Sequence, residues 1–142
     1  MSVSPLYTAH GAATGGRDGK GTITGSDVIL NLATPKEMGG NGNGNNPEQL
    51  FAVGYSACYI GAMQYAATQD SSLPKVPADV KVEAAVGIGP REAGGFGLTV
   101  SLTVTLPGVD KSEAERLTAA AHKICPYSNA VRGNVDVQTA LS

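Results

Sequence analysis

Tryptophan is missing from this chain and charge is scarce. Ten Lys and Arg stand against twelve Asp and Glu, 15% of 142 residues, where an average globular domain carries roughly 25%. The net charge is −2, with no basic run and no basic patch interleaved with aromatics, which argues against a nucleic-acid partner. The only histidines are His10 and His122, without the paired spacing that a metal site needs, so no metal is expected. A membrane span is also missing. Residues 50–67 carry no formal charge, but they include Ser56, Gln64 and three tyrosines, and Glu48 and Asp70 flank them instead of Lys or Arg; this reads as a buried helix. The N-terminus has neither a basic region nor a continuous apolar stretch, so no signal peptide is read there. A cytoplasmic protein is expected, in which two cysteines are more readily catalytic or redox-sensing than a permanent staple.

What is present is glycine, 19 residues of it, with much alanine and valine. One domain over residues 1–142 is expected from the length. With so little charge, such a chain has trouble hiding its apolar surface in one small monomer, and a homo-oligomer would solve that. The first third reads as β-structure: 6–14, a glycine-rich turn TGGRDGKG, then 21–24 and 28–33. GGNGNGNN, residues 39–46, reads as a flexible loop. Asn46, Pro47 and Gln49 then signal a helix start, with Glu48 in the first turn where the dipole favours a carboxylate. That helix runs to about Gln69. A connector over 71–78 leads to two alternating segments, 80–89 and 96–106, joined by GPREAGG as a hairpin. Asp110 and Glu113 cap a second helix reaching Ile124. Pro126 breaks it, a short turn or helix follows, and 134–141 alternates as a last strand. The fold class is α/β in the α+β sense.

Cys58 sits within VGYSACYIGAM, the most apolar stretch. A cysteine there is ordinarily packing, because burial raises a thiol pKa and leaves it inert. Reactivity would need a fixed cation beside it. Cys125, in ICPYSNA at a helix end, is 67 residues away, so the fold alone could bring the two together. Arg17, in TGGRDG, reads as an exposed turn residue or as that cation, since a guanidinium keeps its charge when desolvated. Glu48 is a first-turn carboxylate or the group that aims the arginine. His122 caps a helix end, faces solvent, or serves a Cys–His hydrolase. Asp18 reads as a turn residue.

Four separated motifs, LYTAHGAATGGRDG, PKEMGGNGNGN, NPEQLFAVGYSACY and ICPYSNAVRGNVDV, resemble the organic hydroperoxide resistance (Ohr) proteins of the OsmC/Ohr superfamily from about Leu6 to Val137. The resemblance implies a thiol peroxidase without metal or organic cofactor. By it, Cys58 is the peroxidatic cysteine, Cys125 resolves it, and Arg17 and Glu48 activate the thiolate. It also implies an intertwined homodimer with long central helices surrounded by antiparallel sheets and active sites at the subunit interface. The substrate would be an organic hydroperoxide and the reductant a dihydrolipoyl-type dithiol or lipoylated protein. Tyr127, Phe96 and Met63 are candidates to line the substrate pocket, though such residues are more often ordinary core. Glu48 and Cys58 lie ten residues apart on one expected helix, about 15 Å, so Arg17 and Glu48 are expected to act on the partner's cysteine. The alternatives are an OsmC-like peroxidase of broader specificity, a cysteine-pair redox sensor, and the hydrolase.

Overall fold

The computed structural model describes residues 2–142. They form two compact units, one ending at Pro47 and one running Glu48–Ser142.

The first unit is a three-stranded antiparallel sheet in the order β1 (Gly11–Thr14), β2 (Lys20–Ile23), β3 (Ile29–Asn31). β1 is shorter than the expected 6–14, because pairing with β2 stops at Gly11 opposite Ile23. Nearly every residue of these strands is exposed, and Gly21 and Ala33 alone among those described in this unit are buried. Strands this short, with no apolar face of their own to bury, lack the packing that makes a sheet stable by itself. The glycine-rich loop is less free than its composition implies. Ala33 N–H bonds the Asn45 carbonyl, Asn45 N–H the Asn31 carbonyl and Gly42 N–H the Thr34 carbonyl, at 2.9, 2.9 and 3.0 Å. A side chain at Gly40 would run into the Thr34 carbonyl. Here glycine permits close backbone approach.

The second unit holds the core. α1 (Pro47–Gln69) starts where the cap signals place it. It buries Tyr55, Tyr59, Ala62, Met63 and Ala66, a stripe at three- and four-residue spacing on one helix face. Against it lies a sheet ordered β4 (Lys81–Pro90), β5 (Phe96–Thr105), β6 (Val137–Leu141). β5 turns Val100, Leu102 and Val104 inward by simple alternation. α2 (Lys111–Ile124) adds Ala114, Leu117 and Ala121, and α3 (Pro126–Val131) follows. Burying Leu102, Val104 and Leu117 contributes about 1.5–3 kcal/mol each. Both buried tyrosine hydroxyls are satisfied: Tyr55 OH lies 2.8 Å from Ser128 Oγ, and Tyr59 OH donates to the Thr118 carbonyl at 2.9 Å.

Two details depart from the sequence reading. Asp110 stands at the N-cap of α2 but its side chain makes no cap bond; its carbonyl instead receives the Ala114 N–H at 2.8 Å. And β6 pairs with β5 in parallel, Val100 opposite Val137 through Val104 opposite Leu141, so this sheet is mixed. A parallel pairing needs a crossover, which α2 and α3 provide; alternation alone does not report strand direction.

Candidate active site

α1 carries Cys58, half-buried, and the corner between α2 and α3 carries Cys125, fully buried. The corner forms because Pro126 has no N–H to continue α2 yet suits the first position of α3. The two sulfurs, 67 residues apart in sequence, lie 3.5 Å apart as free thiols. A disulfide requires about 2.05 Å, so the sulfurs have about 1.5 Å to close.

Burial pushes the Cys58 thiol above the ordinary cysteine value, a backbone hydrogen bond from Tyr127 pulls it back, and the neighbouring Cys125 sulfur adds to the rise. Tyr127 N–H belongs to the first turn of α3, where amide groups lack helix partners. It is a fixed donor to a developing thiolate, but burial outweighs it, and a full charge here calls for a cation.

Two aromatic rings of α1, Phe51 and Tyr55, and one of α3, Tyr127, cluster on the helix face that carries Cys58. Phe51 and Tyr55 each meet Tyr127 with centroids 5.7 Å apart, and Phe51 meets Tyr55 edge-on at 6.2 Å. Phe51, Gly54 and Tyr55 precede Cys58 by seven, four and three residues, so they share its helix face. Gly54 leaves the space that Tyr127 fills: a Cβ there would come within 2.8 Å of the Tyr127 hydroxyl. Phe51 escaped the sequence reading, although its heptad spacing from Cys58 was the available signal. The other two pocket candidates stand elsewhere. Met63, five residues on, points about 140° around the helix from Cys58 and is fully buried in the core. Phe96 opens β5 and is 70% exposed.

Among the described residues no hydrogen bond joins His122 to either cysteine. Its Nδ1 lies 3.1 Å from Ser128 Oγ and its Nε2 2.7 Å from Thr139 Oγ1, so both ring nitrogens are committed to hydroxyls. That geometry removes the general base a Cys–His hydrolase needs. Burial, then the Arg132 charge, lowers its pKa, keeping the ring neutral near pH 7.

Arg17 and Glu48 fall in different units. Arg17 is half-buried on a 3-10 turn, Gly16–Asp18. Gly15 and Gly16 have φ of 73° and 64°, left-handed values that a side chain resists, and a side chain at Gly19 would strike the Thr14 carbonyl. Asp18 does more than occupy the turn. Its carboxylate accepts the Thr34 N–H at 2.9 Å and the Thr34 hydroxyl at 3.1 Å, fixing the loop that presents Arg17. Glu48 is half-buried in the first turn of α1. Since α1 is continuous from Pro47 to Gln69, Glu48 stands about 15 Å along the axis from Cys58. Among the described residues no group of three or more His, Cys, Asp or Glu side chains is disposed to hold a metal ion, and no helix is long and apolar enough to cross a membrane.

Residues 40–140 match the family model of the OsmC-like proteins. An organic hydroperoxide resistance protein of Xanthomonas axonopodis pv. citri is 51% identical over 138 residues, covering 96% of this chain and 95% of its own. The crystal structure of the organic hydroperoxide resistance protein OhrB of Bacillus subtilis superposes with a TM-score of 0.85 at 38% identity, covering 97% of this chain and 100% of that one. One from Legionella pneumophila gives 0.88 at 44%, covering 98% and 99%. With its paired thiols, aromatic wall and α+β architecture, this chain belongs to the organic hydroperoxide resistance proteins of the OsmC/Ohr superfamily.

Proposed function

We propose that the chain is a cytoplasmic, cysteine-based peroxidase that reduces organic hydroperoxides, alkyl or lipid, to alcohols. The observation that carries this is the 3.5 Å separation of two free sulfurs, one half-buried and one buried. The Cys58 thiolate attacks the distal oxygen of ROOH; the O–O bond breaks, the alkoxide takes a proton and leaves as ROH, and Cys58 becomes a sulfenic acid. Cys125 then attacks that sulfur. The S–S bond forms, the S–OH bond breaks, and the hydroxyl departs as water with the Cys125 proton. A dihydrolipoyl-type dithiol, free or on a lipoylated protein, reopens the disulfide by exchange and is itself oxidised to a disulfide. Phe51, Tyr55 and Tyr127 supply an apolar wall that rewards an alkyl chain, which hydrogen peroxide lacks.

Arg17 is the cation and Glu48 the carboxylate that aims it, both acting on the Cys58 of a second protomer in a homodimer. Two observations support the dimer. The first unit carries strands but no core. α1 also leaves a second stripe exposed, Val53, Ala57, Gly61 and Tyr65, with Gln64 as its polar member.

The test gives reduced protein one equivalent of cumene hydroperoxide or of hydrogen peroxide and follows free thiols and intact mass. Rapid loss of both thiols as an intramolecular disulfide with the organic peroxide, and slow loss with hydrogen peroxide, is expected. Equal rates would favour the broader OsmC-like peroxidase. A single oxidation without turnover on dithiol would favour the redox sensor. Mixing Arg17→Ala with Cys58→Ser protein tests action across subunits, since mixed dimers would regain one working site while each variant alone stays inactive.

A further inference from the structure

His122 has no part in the chemistry above, yet both of its ring nitrogens are bonded, three residues before Cys125. Besides the Ser128 and Thr139 hydroxyls on its two nitrogens, its carbonyl accepts a hydrogen bond from Arg132 Nη2 at 2.6 Å. The Tyr59 ring packs edge-on against it, centroids 4.8 Å apart. Ser128 is buried and carries the chain on to Tyr55 OH at 2.8 Å. One continuous run, Thr139–His122–Ser128–Tyr55, thus ties β6, α2, α3 and α1 together. A neutral imidazole offers one donor and one acceptor, which two hydroxyls can match. Cys125 lies midway in sequence between His122 and Ser128, three residues from each, at the corner these bonds close.

We propose that His122 is a positioning residue for the resolving step: with Ser128, Thr139 and Tyr55 it clamps the α2–α3 corner so that Cys125 stays in reach of Cys58. The proposal rests on the peroxidase reading. A Cys58 sulfenic acid has two fates. Cys125 converts it to a disulfide, releasing water, or a second ROOH converts it to a sulfinic acid, releasing ROH, which is irreversible here. The first fate is intramolecular and depends on sulfurs held at near-attack distance; a misplacement of about 1 Å can cost about 100-fold in such a step. The clamp therefore sets how much peroxide the protein survives.

The experiment titrates full-length reduced protein with cumene hydroperoxide and reads, by intact mass, the ratio of disulfide to sulfinic acid. Ser128→Ala and Thr139→Val each remove one link; Ser128→Thr keeps the hydroxyl; Val82→Ala opens a core cavity on β4 as a control for general loosening. In Ser128→Ala and Thr139→Val the peroxide giving half sulfinic acid is expected to fall at least about fivefold, with Ser128→Thr and Val82→Ala near wild type. A wild-type ratio in both link variants, or an equal fall in Val82→Ala, would overturn the proposal while leaving the peroxidase intact. Wild-type protein that forms neither sulfenic acid nor disulfide would remove the peroxidase reading itself, and this proposal with it.

Discussion

Gly54 shows how a single missing methyl shapes the site. It stands one turn before Cys58 and accommodates the Tyr127 hydroxyl where a Cβ would sit at 2.8 Å. Gly54→Ala should gain about 1 kcal/mol of helix propensity, yet it pushes the half-exposed Tyr127 ring off α1 and opens the aromatic wall. The thermal midpoint should stay within about 5 °C of wild type, while KM for a bulky aryl hydroperoxide rises several-fold; calorimetry and steady-state kinetics read the two effects separately. An unchanged KM would mean that Tyr127 does not line the substrate path. At this scale the sequence was informative for some residues and silent for others. Cys58 and Cys125 stood out because the chain has only two cysteines, whereas Arg17 read as a turn residue until the motif around it was matched to the family. Phe51, Ser128 and Thr139 are common types whose importance comes from what the fold sets beside them. Asp18 looked like turn material, and its bonds to Thr34 join residues sixteen apart, which no local pattern announces.

Among the elements, α1 was the most legible, because caps, length and apolar content all agree over Pro47–Gln69. The β4–β5 hairpin was nearly as clear, since period-2 alternation is strict there. β6 was readable as a strand but not as a parallel one, because direction is decided by the α2–α3 crossover and leaves no mark in the alternation. The end of β1 was overrun for a related reason: apolar residues before Gly11 extend the pattern, but the partner strand stops at Ile23. α1 also carries the prediction that belongs here. Its Val53 is 70% exposed on the stripe proposed to meet a second protomer. If that stripe meets the partner's helix, Val53→Asp would bury a carboxylate there and should weaken association by about 2 kcal/mol or more. Sedimentation at micromolar concentration should show a shift toward monomer, with peroxidase activity lost in parallel. A fully dimeric variant would place the interface elsewhere.

At the level of the whole molecule, the two units differ in what holds them. The second encloses a core drawn from three helices and a sheet; the first has sheet hydrogen bonds and almost no buried side chains. If a second protomer covers the first unit, amide exchange in β1–β3 should accelerate on dilution below the dimer dissociation constant, while β4 and β5 stay protected. Equal protection at all concentrations would show that the first unit is stable within one chain. The crossover to β6 has a further consequence, in the order of synthesis. Thr139, which anchors His122, lies on the last strand to leave the ribosome of all the elements described. Until that strand threads into place beside β5, a nascent or prematurely ended chain already contains both cysteines and the wall around them, but not the anchor for its resolving corner. On the proposed mechanism, such a chain would hold its reactive sulfur before the strand that steadies the cysteine resolving it.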